Sequence, residues 1–247
     1  MVSNLFYALI VFILVLFSFF LLLLSSWEVR DSYYQKKYEW NIPNEPDVTN
    51  TAKIDSILSP YPKLKYHQLP DFYCFESESH LEPFCQMLEN STYRIIPAHD
   101  IYKKIVGHHR IKDFMPKDYF YTKHFWNIDS NELIWLVNDT LLYRFIELNS
   151  LLDSLGYDVE QISIRNGYRP PKYNRIKEGA PKSRHVVGEA VDISVGDIDR
   201  NGIADSIDKK VPYDLLDTLI IGDKGGLGWY SGSQTLHFDV RGKRARW

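Results

Sequence analysis

The chain has 247 residues, with 29 Lys and Arg against 32 Asp and Glu and a formal net charge of -3. That is room for one ordinary domain with an anchor and a linker. With no long basic block there is no electrostatic footprint for a nucleic acid, so no nucleic-acid partner is expected.

Residues 5–24, LFYALIVFILVLFSFFLLLL, contain no charge and no proline. A helix of that length, at about 1.5 Å per residue, covers about 30 Å, the hydrocarbon thickness of a bilayer, so the run reads as a transmembrane signal anchor. A cleaved signal peptide has a shorter apolar region behind a basic start, and here no Lys or Arg precedes the run. Arg30, Lys36 and Lys37 lie on its C-terminal side, which by the positive-inside rule favours the cytoplasm for the bulk of the chain. Cys74 and Cys85, the only cysteines, argue the other way. They lie close enough for a short-loop disulfide, which needs an oxidising compartment, the other reading being two buried free thiols.

Residues 27–60 are charged near the apolar run and then rich in Pro, Asn and Asp (NIPNEPDVTNT), and read as a linker. Residues 61–134 hold both cysteines, many aromatics and scattered histidines in no metal-ligand spacing. Adjacent His108 and His109 would point apart on a strand and share no metal. The role of this flank is not legible. Beyond it, apolar residues recur at Leu141, Leu142, Phe145, Ile146, Leu148, Leu151, Leu152 and Leu155, a helical stripe stopped by Gly156. Residues 159–164 have strand character and residues 166–171 are turn-rich. A second strand is expected at 188–195, a helix near 213–221 and a last strand at 236–240. This order gives an α+β fold for residues 135–247, a small mixed or antiparallel sheet flanked by helices, behind the N-terminal transmembrane helix.

Two of those strands carry chemistry. Side chains alternate along a strand, so Gly188, Ala190, Asp192 and Ser194 share one face while Val191, Ile193 and Val195 share the other. On the last strand Thr235, His237 and Asp239 face one way, and Leu236, Phe238 and Val240 the other. Each strand therefore offers a metal-capable residue on an otherwise small or polar face. With His185 at the entrance of the first, the chain presents two imidazoles and a carboxylate. Three protein ligands with a fourth position open mark a catalytic rather than a structural zinc site.

The stretch Gly167-Tyr168-Arg169-Pro170, then Tyr173-Asn174, Gly179 to His185, Gly188-x-Ala190-x-Asp192 and Leu236-His237-Phe238-Asp239-Val240-Arg241-Gly242 resembles the zinc D-Ala-D-Ala carboxypeptidases. That family includes vancomycin-resistance D,D-peptidases, peptidoglycan endopeptidases and, more remotely, the hedgehog signalling domain. The resemblance covers about residues 135–247. It implies a zinc peptidase acting on peptidoglycan stem peptides, with His185, Asp192 and His237 as ligands and Arg169 binding substrate beside Tyr168 and Ser183. Such a substrate puts the domain outside the cytoplasm, periplasmic or at the cell surface. One position departs from the family: many members carry an acid three residues before the second histidine ligand, and here it is Gln234. Asp239 is then the carboxylate expected to serve the hydrolytic water, or else to fix the imidazole of His237. The alternative is a non-catalytic module that binds zinc and recognises cell-wall peptides or a protein partner.

A second cation signal lies between the strands. Asp197, Asp199, Asn201, Asp205 and Asp208 stand at positions one, three, five, nine and twelve of a loop with Gly202 at six and the carbonyl of Ile203 at seven, the calcium-loop spacing. An acidic solvated loop is the other reading.

Overall fold

The structure is a computed structural model that describes residues 13, 16, 45–69, 88–89, 91–116 and 132–247. Glu45–Trp247 form one compact unit. Asn50 starts its first helix, α1 (Thr51–Leu58), by accepting a hydrogen bond from Lys53 N at 2.9 Å, a cap that contributes about 1 kcal/mol. Ile54 and Leu58 are buried, and Tyr143 reaches over from the central helix to Asp55. Val48 exchanges backbone hydrogen bonds with Gly107. The linker expected at 27–60 is therefore corrected over 45–60: turn-forming residues there cap and anchor a packed helix. The anchor at 5–24 and the Cys74–Cys85 pair lie outside the described residues, among which no helix is long and apolar enough to cross a membrane.

Strands β1 (Lys63–Lys65), β2 (Thr92–Pro97) and, later in the chain, β5 (Glu132–Leu136) pair antiparallel with β2 in the middle. Between them come the short hairpin β3 (Lys104–Val106) and β4 (His109–Arg110) and a single helical turn, α2 (Ile111–Phe114). Buried Arg94 on β2 pairs at 2.7 Å with Asp139, the first residue of α3 (Asp139–Ser154), and so ties this sheet to the central helix. An aromatic chain does the same in the core: Phe114 lies 6.3 Å from Trp135 and 6.0 Å from Phe145, and Phe145 lies 5.8 Å from Phe238. The boundary expected at 134/135 thus falls inside β5, and the flank shares one hydrophobic core with the C-terminal half. His108 and His109 do not point apart. His108 sits in the turn before β4, and the two ring centroids are 3.9 Å apart.

The remaining elements are β6 (Ile162–Asn166), α4 (Pro171–Ile176), β7 (Ala190–Val195), α5 (Ser206–Leu215), β8 (Gly226–Trp229), β9 (Thr235–Asp239) and β10 (Ala245–Arg246). They make a mixed sheet in the order β10-β8-β9-β7-β6, antiparallel except where β10 meets β8. The α+β architecture matches the sequence pattern. Its apolar face, Val191, Ile193, Leu236 and Phe238, is fully buried, and its other face forms the floor of a cleft.

Candidate metal centre and its cleft

Strand register sets the centre. Asp192 on β7 is the cross-strand partner of His237 on β9, so the pleat turns both onto the same face. His185 comes from outside the sheet, on the 3-10 turn Arg184–Val187 that precedes β7. That turn ends at Gly188, whose φ of 67° and close approach to the Leu136 carbonyl leave no room for a side chain. The chain is thereby bent so that His185 lies over Asp192.

The three side chains converge. His185 Nε2 lies 3.2 Å from Asp192 Oδ1 and 3.2 Å from His237 Nδ1, and His237 Nδ1 lies 2.9 Å from Asp192 Oδ1. All three residues are at most 4% exposed. The outer ring nitrogens are committed: His185 Nδ1 donates to the Gly167 carbonyl at 2.7 Å, and His237 Nε2 donates to Asp239 Oδ2 at 3.0 Å. Those bonds fix the tautomers that leave the inner nitrogens with free lone pairs. Two nitrogen lone pairs and a carboxylate oxygen facing one another repel unless a cation sits among them. A tetrahedral zinc with bonds near ~2.0–2.1 Å places its ligands roughly 3.3 Å apart, close to the spacing here. The donor set fits zinc.

Burial and charge act on the three groups in opposite directions. Burial alone would raise the Asp192 carboxyl, yet His185 and His237 beside it hold it well below the usual carboxylate range. Burial pushes His185 down, whereas His237, between Asp192 and Asp239, is raised despite its burial. Asp239, although buried, is held low by His237 and Arg241. Asp192 Oδ2, turned away from the histidines, accepts from Asn166 Nδ2 at 3.0 Å and from Arg169 at 2.6 Å.

Above this floor opens a cleft of about 750 Å³. Arg169 and Ser183 line it, as expected from the sequence. Tyr168 does not: its side chain is 2% exposed in the core, and a substrate-binding role for it is corrected. Asp239 is 0% exposed and sits behind His237. Its oxygens also accept from Gly226 N at 3.0 Å and from Arg241 Nε at 2.8 Å. Gly226 is required there, since a Cβ would lie 2.3 Å from Asp239 Oδ2. Gln234 is not among the lining residues. Sequence reading missed four residues of the site. Asn166 orients Asp192, Arg241 holds Asp239, Trp247 packs its ring 5.0 Å from that of His237, and Tyr230 lines the cleft, its phenol pushed up to about 12 by burial and by the charge of Asp192. For the first two, the available signals were the turn-forming Asn166-Gly167 pair and the Asp239-x-Arg241 spacing beside the ligand His237.

In the expected calcium loop, Asp197, Asp199 and Asp208 each bring an oxygen within 4.8 Å of the others. Asp197 accepts from Asn201 N and Gly202 N, and buried Asp208 accepts from the amides of Ile198, Asp199 and Asp205. Asp205 is instead the N-cap of α5, accepting from Ile207 N at 2.6 Å.

His185, Asp192 and His237 at the floor of the cleft form a group able to hold a metal ion. Residues 136–221 match the family model described as Peptidase M15, in keeping with the D-Ala-D-Ala carboxypeptidase resemblance of the C-terminal half. The matched segment contains Arg169, His185 and Asp192, and pairing of β9 with β7 brings His237 to them from beyond its end. No curated protein and no solved structure matches the chain.

Proposed function

We propose that the chain is a zinc-dependent peptidase of cell-wall stem peptides, a D,D-carboxypeptidase or cross-link endopeptidase, tethered to a membrane by residues 5–24 with its cleft outside the cytoplasm. The observation that carries this reading is the convergence of His185 Nε2, His237 Nδ1 and Asp192 Oδ1 beneath an open cleft. Zinc held there supplies a water of lowered pKa and a Lewis acid for the scissile carbonyl.

The protein's own groups do the rest. Asp239 and the Gly167 carbonyl hold the two imidazoles in register. Arg169 lines the cleft with its guanidinium on Asp192, and that planar fork of donors suits a peptide carbonyl or carboxylate. Arg165, Lys177 and Lys182 line the cleft, and none is in an ion pair among the described residues. Such a rim suits a peptide rich in carboxylates. Calcium held by Asp197, Asp199 and Asp208, with the Asn201 side chain beside Asp199, would stiffen the loop that leads from β7 into α5.

One observation favours the non-catalytic alternative. Apart from Asp192, the only carboxylate among the described lining residues is Glu178, exposed at the rim. The test is digestion of purified peptidoglycan by the full chain, with chelator and with zinc restored, and then mass analysis of the released fragments. Zinc-dependent release of D-alanine or of uncrosslinked muropeptides supports the enzyme. Zinc binding without any release supports the module.

A further inference from the structure

The turn between β8 and β9 places Tyr230 at the cleft that Asp192 and Arg169 also line. The next three residues, Ser231, Gly232 and Ser233, are small and exposed, and the turn's own bonds are long: Ser233 Oγ donates to the Tyr230 carbonyl at 3.3 Å and accepts from Thr235 N at 3.3 Å. Shorter bonds come from beneath. Lys209 on α5 is only 1% exposed. Its ammonium donates to the carbonyl of Tyr230 at 2.7 Å and to that of Ser233 at 2.8 Å, and lies 3.9 Å from the centre of the Trp229 ring. Lys210, next in the chain, points outward to Asp214 in the ordinary manner of a helix-surface lysine.

A buried ammonium satisfied by two carbonyls and a ring face, with no carboxylate among its described contacts, is a poor substitute for an apolar side chain where stability alone is concerned. What it does provide is geometry: one cation grips both ends of the turn that presents Tyr230. Burial lowers the affinity of Lys209 for its proton, and the two carbonyls and the Trp229 ring are the groups that favour its charged form.

We propose that Lys209 is a positioning residue, clamping the Tyr230–Ser233 turn so that the Tyr230 phenol stays in the cleft lined by the ligand set and donates a hydrogen bond to the carbonyl oxygen of the bound peptide. This rests on the peptidase reading above. A phenol keeps its proton at neutral pH and so is a donor throughout the working range. Tyr230 and Arg169 line the same cleft, so the phenol adds to Arg169 a second donor where negative charge develops.

The test combines two readouts. In metal-free protein, amide exchange over residues 230–235 should quicken by roughly tenfold or more in Lys209→Met, while exchange in α3 stays as in the wild type. With zinc restored, Tyr230→Phe should lower kcat by roughly 10²-fold with KM and zinc content little changed. Lys209→Met should lower kcat in the wild-type background and have no further effect in a Tyr230→Phe background. Lys209→Gln, which keeps a donor of shorter reach, serves if the methionine variant does not fold. Unchanged turn exchange, or an equal loss of kcat from the lysine substitution in both backgrounds, overturns the clamp. Wild-type rates in Tyr230→Phe overturn the donor role. A wild-type chain with no peptidase activity sinks the peptidase reading and the donor role with it, and the clamp is then judged on exchange alone.

Discussion

Asp239 stands directly behind His237: its Oδ2 lies 3.0 Å from the imidazole Nε2, on the ring edge opposite the Nδ1 that faces Asp192. The carboxylate is fully buried and its oxygens are shared among His237, Arg241 and the Gly226 amide. Of the two roles the sequence left open for it, this geometry suits the one that fixes the ligand. Asp239→Asn should therefore weaken zinc binding by roughly 10–100-fold, with activity recovering at high zinc. Zinc titration of the variant decides. Undiminished zinc affinity with a lost turnover would make Asp239 the proton acceptor instead.

Arg169 holds Asp192 at 2.6 Å and lines the cleft. Arg169→Lys keeps the charge but loses the planar fork. The expected result is a fall in kcat/KM on the order of 100-fold at unchanged zinc content. A variant with wild-type kinetics would leave Arg169 as a turn-stabilising residue.

His109 gives a pH signature away from the centre. The ring is buried, stacks on Phe145 at 5.1 Å, and its pKa is lowered to about 3 by burial and by His108. Between that value and about 6.5 the unfolded chain binds a proton that the folded ring refuses. The stability present above pH 6.5 is thus lost as the pH falls, by about 2 kcal/mol at pH 5. His109→Phe should flatten that decline in urea unfolding at pH 7 and pH 5. Identical slopes for variant and wild type would show that His109 does not titrate on unfolding.

The loop bearing Asp197, Asp199 and Asp208 should respond to calcium through stability rather than turnover, since a ligand that binds only the folded state raises its melting temperature with concentration. In protein stripped of metal, millimolar calcium should raise the melting temperature, and Asp197→Ala should abolish the rise. A melting temperature indifferent to calcium would leave an acidic solvated loop.

The shared facing of Asp192 and His237 was legible because strand alternation fixes it, whereas His185, on a turn outside the sheet, was legible only through the family resemblance. Once Asp192 and His237 are placed on strands with apolar alternate positions, the pleat does the rest. The helix at 139–155 was legible for the same reason, periodicity over several turns. Elsewhere the signal was weaker. Lys63–Lys65 is too short to show alternation, and β2 and β5 bury neighbouring residues in succession, Tyr93 and Arg94 on one and Leu133 to Leu136 on the other, so the sheet that completes the core carried no two-residue period and looked like a featureless flank. The expected strand at 159–164 begins as a 3-10 turn, Val159–Gln161, because Asp158 caps it by accepting from Glu160 N at 3.2 Å. The helix expected near 213–221 starts earlier, at Ser206, where the Asp205–Asp208 capping box sets its first turn. Lys209 was illegible in principle: nothing in adjacent lysines says that one is buried under a turn and the other solvated.

The most direct test of the central claim is zinc content and peptide hydrolysis measured on the same preparations of wild type, His185→Ala and His237→Ala. The account predicts about one zinc per wild-type chain, with metal and activity lost together in both variants while the fold is retained. Full zinc occupancy in both variants, or hydrolysis that survives the loss of zinc, would contradict it.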